Sequence, residues 1–140
     1  MNDAYAKEIL FAYEAMERGF NVSIPVGGLT RYDLILERNN KLITIQVKTS
    51  KSPNYNNCYR VNLNNEKGKY SKKSIDFYAI YLNKHKVWYI IPVDKIGKKQ
   101  GIYISKNESL DGRKKSDWQQ YRGNWDLLLK STNKRATRRR

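Results

Sequence analysis

The sequence predicts a mixed α/β (α+β) domain, a mainly antiparallel sheet flanked by helices. Three observations carry that expectation. An amphipathic helical pattern opens the chain, a succession of short apolar or alternating runs follows with turn signals between them, and helical spacing returns near the C-terminus. At 140 residues the chain suits one domain with a real core. Its expected extent is residues 1–129, followed by a basic tail over 130–140 that is expected to be disordered in isolation.

In order, Asn2 or Asp3 can cap a first helix reaching about Arg18, and Gly19 is placed to stop it. On a helical wheel Ala4, Tyr5, Ile9, Phe11, Ala12, Ala15 and Met16 form the apolar arc; Lys7, Glu14, Glu17 and Arg18 form the polar one. Glu8 falls inside the apolar arc. It is satisfied there either by reaching solvent or a basic partner at the stripe's edge, or by a metal. Phe20–Val26 reads as a first strand, closed by Pro25 and Gly27-Gly28. Cys58–Leu63 reads as a strand, Asp76–Leu82 and Val87–Pro92 as a hairpin, and Ile102–Ile104 as a weak strand. Trp118, Tyr121, Trp125 and Leu128 have helical spacing, interrupted by Gly123.

Composition narrows the partners. Twenty-eight Lys and Arg against thirteen acids give a net charge of +15, which points to a polyanion, nucleic acid above all. No apolar run approaches the roughly 20 residues of a membrane span, so no membrane partner is expected. A single cysteine, Cys58, excludes an intramolecular disulfide and a cysteine zinc site. With no signal-peptide pattern either, the expected compartment is the cytoplasm, with nucleoid association when bound to DNA.

The richest stretch is Leu29–Lys51. It reads as strands Arg31–Glu37 and Lys41–Thr49 around an Asn39-Asn40 turn, since Asn tolerates positive φ. That register sets Leu34 against Ile45, Leu36 against Ile43 and Tyr32 against Val47 on an apolar face. Asp33 then opposes Gln46 and Arg31 opposes Lys48 on the other. Opposed side chains lie roughly 5 Å apart, close enough to share a divalent cation. Asp33 would be its main ligand, with the Gln46 amide oxygen and the Val47 carbonyl beside it. Lys48 on the same face could position or deprotonate a water, or stabilise developing charge.

Tyr32-Asp33 followed by Gln46-Val47-Lys48, with Glu8 on the preceding helix, resembles the PD-(D/E)XK nuclease superfamily. The chain is more narrowly similar to its small group I intron-encoded homing endonucleases, which carry Gln in the (D/E)XK position. QVKTS, YRVNL at Tyr59–Leu63, IDFYAIYL at Ile75–Leu82, WYIIPV at Trp88–Val93 and NWDLL at Asn124–Leu128 extend the likeness over most of the chain. The resemblance implies a restriction-endonuclease-like core and site-specific hydrolysis of double-stranded DNA. It also implies Mg²⁺ as cofactor, Mn²⁺ as a substitute, and a homodimer or homotetramer. It assigns metal ligation to Glu8, Asp33 and Gln46, and catalysis to these and Lys48. Tyr32 stands where the family has Pro, and Gln46 lacks one negative charge.

Expected DNA contacts are Lys51, Tyr55, Arg60, Lys67, Lys69, Lys72 and Lys73, then Arg135, Arg138, Arg139 and Arg140 of the tail. Tyr59 and Tyr70 lie among the same polar residues. Amides around Asn54–Asn65 suit reading of adenine edges, while Lys and Arg fix register on phosphates. Two other readings stand beside the nuclease: a catalytically inactive nucleic-acid binder on the same fold, favoured by Gln46, and a Holliday junction resolvase-like, structure-specific enzyme.

Overall fold

The computed structural model describes residues 3–50, 58–65, 74–105 and 118–134. Helix α1 spans Asp3–Glu17 and ends at Gly19, whose φ of 90° suits a residue without Cβ. Strands β1 (Asn21–Ser23), β2 (Leu34–Arg38), β3 (Lys41–Ser50), β4 (Cys58–Asn62), β5 (Phe77–Leu82) and β6 (Val87–Pro92) follow. Then come a short α2 (Val93–Ile96), β7 (Gly101–Ser105), a 3₁₀ turn (Gln119–Tyr121) and α3 (Asp126–Ser131). Five strands form one sheet in the order β1-β2-β3-β5-β6, antiparallel except for the parallel β3–β5 pair. Strands β4 and β7 pair apart from it as an antiparallel ribbon.

The hairpin register is the expected one, with Leu34 opposite Ile45 and Leu36 opposite Ile43. Its turn residues Asn39 and Asn40 have φ of 54° and 62°, the left-handed pair of a tight two-residue turn. The ladder stops short, however. Strand β2 begins at Leu34, not Arg31, so the expected pairings Asp33–Gln46, Tyr32–Val47 and Arg31–Lys48 do not form. The Asp33 N–H donates to the Ile45 carbonyl at 2.7 Å, and the Asp33 carboxylate accepts the Val47 N–H at 2.7 Å. A short polar side chain has displaced the backbone as Val47's partner.

Two cores lie on the two faces of this sheet. On one, Leu34, Leu36, Ile43, Ile45, Ala79 and Ile90 pack with Phe11, Ala12 and Ala15 of α1 and Leu128 of α3. The Phe11 ring meets Trp88 edge-on at 4.9 Å and stacks on Trp125 at 4.8 Å. On the other, Tyr78, Ile80, Leu82 and Ile91 are covered by Tyr59, Val61, Ile102 and Ile104 of the ribbon, with Val93 and Ile96 of α2 alongside. Helices cover one face; a β-ribbon seals the second.

This packing corrects several expectations. Of the expected apolar arc of α1, only Phe11, Ala12 and Ala15 are buried, while Tyr5, Ile9 and Met16 face outward with Tyr13. Two alanines let the helix approach the sheet closely, and the fit of Phe11 between two tryptophans sets its rotation. The first strand shrinks to Asn21–Ser23, because Pro25 has no N–H to donate and Gly27 and Gly28 turn at positive φ. Tyr59 is fully buried and offers nothing to a nucleic acid. Trp88–Ile91 is buried too. The late helix divides at Gly123, with φ of 59°. Arg38 Nη1 donates to the Leu129 carbonyl at 3.2 Å, and Asn39 Nδ2 to the Thr132 carbonyl at 2.8 Å. These bonds tie Leu129 and Thr132, at the end of α3, to the hairpin. Among the described residues no helix is long and apolar enough to cross a membrane.

Candidate active site

From Gln46 onward, β3 keeps β5 along one edge and has lost β2 from the other. Glu8, Asp33, Gln46, Val47 and Lys48 converge on that open edge. They line a cleft of about 310 Å³ to which Asn62 and Asn64 also contribute. The fold thus brings together all five residues that the sequence nominates for catalysis and metal binding.

Each arrives by a separate local cause. Glu8 sits about one turn before Phe11 and Ala12 on the same helical face, so burial of Phe11 carries Glu8 to the strand edge. Asp33 is the residue before β2, anchored by the Val47 N–H. In an extended strand the N–H and C=O of one residue point to the same side, so the Val47 carbonyl also faces the open edge. Gln46 and Lys48 lie on the ribbon-facing side of β3, in register with Tyr78 and Ile80 of β5. Gln46 is buried at 9% exposure, and Lys48 is half-buried.

The two carboxyl groups crowd each other. Glu8 is pushed up from 4.5 to about 7, first by burial, then by the Asp33 charge and the hydrogen bond the two groups share. Burial raises Asp33 as well, against the lowering influence of the Val47 N–H, the Glu8 hydrogen bond and the Lys48 charge. Near neutral pH the pair therefore shares a proton, a position that a cation would fill. The available donors are two carboxylates, an amide oxygen and a carbonyl, a hard all-oxygen set that fits Mg²⁺ or Mn²⁺. Among the described residues no three His, Cys, Asp or Glu cluster, so any metal held here would draw on neutral oxygens as well.

Of the expected DNA contacts, Arg60 stands exposed on β4. Lys51, Tyr55, Lys67, Lys69, Lys72, Lys73, Arg135, Arg138, Arg139 and Arg140 lie outside the described residues, as does Tyr70. Asn62 and Asn64 are additions to the site; nothing marks them in the chain beyond the amide-rich run Asn54–Asn65. A roomier cleft of about 430 Å³ lies beside Asp76, Asp94 and Leu127. Its described lining has no basic side chain, whereas Lys48 lines the smaller one.

A family model described as PD-(D/E)XK endonuclease matches residues 3–128. The structure of a bacterial homing endonuclease, I-Ssp6803I, resembles this one with a TM-score of 0.75 and 24% sequence identity, over 91% of this chain and 87% of that one. No curated protein matches the chain significantly. With the family pattern spanning the chain from α1 into α3, and its Asp, Gln and Lys converging on one sheet edge, the chain belongs to the PD-(D/E)XK endonuclease family.

Proposed function

We propose that the chain is a Mg²⁺-dependent, site-specific endonuclease of double-stranded DNA, with Mn²⁺ able to substitute, acting as a homing endonuclease. The observation that carries this reading is the Glu8–Asp33 pair held beside Lys48 at an open strand edge. Glu8, Asp33, the Gln46 amide oxygen and the Val47 carbonyl would hold the metal. Once bound, Mg²⁺ supplies charge neutralisation at the phosphate and lowers the pKa of attacking water. Asp33 is kept in place by the Val47 N–H, so its carboxylate is oriented before a metal binds. Lys48, two residues beyond Gln46, places a cation where negative charge grows on the phosphate, or positions the water. The homing assignment rests on the motif order and on likeness to a bacterial homing endonuclease.

The test is cleavage of a randomised duplex library with and without Mg²⁺. Asp33→Ala and Lys48→Ala should bind duplex yet leave it uncut. If both cut at the wild-type rate, the site is misassigned. Gln46, a neutral third ligand, favours a second reading, an inactive binder. That reading requires no product at any Mg²⁺ concentration and an affinity indifferent to metal. Cleavage confined to four-way junctions would mark a Holliday junction resolvase-like enzyme instead.

One site per chain cuts one strand, so double-strand cleavage calls for a homodimer or homotetramer. Tyr5, Ile9, Tyr13 and Met16 are 47%, 41%, 53% and 56% exposed and fall within about 80° of each other on the α1 wheel. Set antiparallel across a two-fold axis, Tyr5 of one copy meets Met16 of the second, and Ile9 meets Tyr13. Helix α1 also carries Asp3, Glu8, Glu14 and Glu17 against Lys7 alone, within a chain of net charge +15. Two copies repel least there. Ile9→Lys should lower the mass measured by light scattering while leaving the fold intact. An unchanged mass removes α1 as the interface.

A further inference from the structure

The β4–β7 ribbon has one face in the core and one face in solvent, and the solvent face leads into the cleft. Inward go Tyr59, Val61, Ile102 and Ile104. Outward stand Arg60 and Asn62, directly opposite Tyr103 and Gly101. No acidic side chain occurs in either strand. At its cleft end the ribbon is pinned by Asn65, fully buried, whose Nδ2 donates to the carbonyls of Gly97 at 2.9 Å and Lys99 at 3.0 Å. That anchor fixes Asn62 and Asn64 at the cleft wall, where the Asn62 side-chain oxygen accepts the Asn64 N–H at 2.9 Å.

Arg60 is held in a defined place although it is exposed. Its guanidinium lies over the Tyr103 ring, 5.2 Å from the centroid, and Nη1 donates to the Val61 carbonyl at 3.3 Å. It also crosses Gly101 so closely that a Cβ there would fall 1.5 Å from Nη1. The absence of a side chain at Gly101 is what makes room for it. An exposed arginine held by a ring, a carbonyl and a glycine gap has less rotamer freedom to lose on binding than a free one.

We infer that the outer face of this ribbon is the base-reading surface, entering the major groove beside the scissile phosphate, with Arg60 contacting a guanine edge and Asn62 the adjoining step. The inference rests on the DNA-cleaving reading above and adds where the sequence is read. A two-stranded ribbon fits the major groove, arginine pairs in bidentate fashion with guanine O6 and N7, and asparagine with adenine N6 and N7. Five residues of strand cover about 17 Å, on the order of five base-pair rises, so the bases read lie that close to the cut.

Gly101→Ala supplies the deciding test, because it displaces the flexible end of Arg60 without changing any charge. Wild type, Gly101→Ala and Arg60→Ala are each bound to a randomised duplex library, the retained pool is sequenced, and thermal melting checks the fold. Wild type should enrich a motif. Both variants should lose preference at the same one or two positions, by about tenfold to a hundredfold, with the rest of the motif unchanged. Gly101→Ala should keep the wild-type salt dependence, which a mere loss of positive charge would not. Motifs identical to wild type in both variants overturn the inference, and so does a wild type that enriches no motif. Cutting of the same library in Mg²⁺ is read separately: a protein that selects the motif and never cuts it defeats the nuclease reading and leaves the ribbon's role standing.

Discussion

Asp33 and Asp76 hold the same strand from opposite edges. Asp33 accepts the Val47 N–H at 2.7 Å from the side β2 has left. Asp76 accepts the Thr44 N–H at 2.9 Å and the Thr44 hydroxyl at 3.2 Å, and its own N–H donates to the Thr44 carbonyl at 3.0 Å. The second arrangement is closed: it fastens the start of β5 to β3 and sets their parallel register. The first is open, with a second carboxylate, Glu8, pressing on it and Lys48 close enough to influence its charge. A carboxylate capping a strand is thus a structural device in one place and the start of a reactive centre in another. What differs is the company, above all a second carboxyl group close enough to share a hydrogen bond.

The two edges are told apart most directly by removing each aspartate's charge. Asp33→Asn keeps an acceptor for Val47 but removes the charge, and should lower the cleavage rate by about a thousandfold, the upper range for losing one electrostatic contact in a reactive centre. Its melting temperature should hold or rise, because charge crowding at Glu8 is relieved. Asp76→Ala should do the reverse, costing about 1–3 kcal/mol in chemical denaturation by stranding the Thr44 N–H, with cleavage retained. If the two variants behave alike, the distinction between the edges fails.

Next in size is the pH response. In the fold Glu8 holds its proton up to about pH 7, against 4.5 for the ordinary group. Between those values the folded state binds more protons than the unfolded one, so the metal-free protein should lose stability as pH rises through that window. Mg²⁺ should restore it above neutrality. Thermal melts of Glu8→Gln should be flat over the same range and insensitive to the metal. The smallest effect expected is from Gln46→Glu, which adds a negative charge and should bring half-maximal cleavage to a lower Mg²⁺ concentration. Unchanged metal dependence would place Gln46 outside the ligand set.

Much of this was legible because its causes are local. The Asn39-Asn40 turn sets the hairpin register from within, and the helical period alone puts Glu8 beside Phe11. What escaped depends on distant partners. Nothing in Arg31–Asp33 announces that a carboxylate will take the Val47 N–H and end the ladder. The outward turn of Tyr5, Ile9 and Met16 follows from the fit of Phe11 between Trp88 and Trp125, residues far along the chain. Likewise the amphipathic pattern of Cys58–Asn62 is the same whether that strand joins the main sheet or crosses over it, so the burial of Tyr59 under the ribbon could not be read in advance.

The early end of β2 has a further consequence for behaviour in solution. Beyond Ile45, β3 offers backbone groups on an edge that another chain's strand would otherwise extend. Asp33 occupies the first exposed donor there, and Lys48 and Glu8 bring charge beside it. The groups nominated for cutting DNA therefore also act as guards against strand-to-strand association. An Asp33→Ala protein should be prone to aggregate as well as inactive, and the gentler Asp33→Asn is the better tool for separating chemistry from colloidal stability.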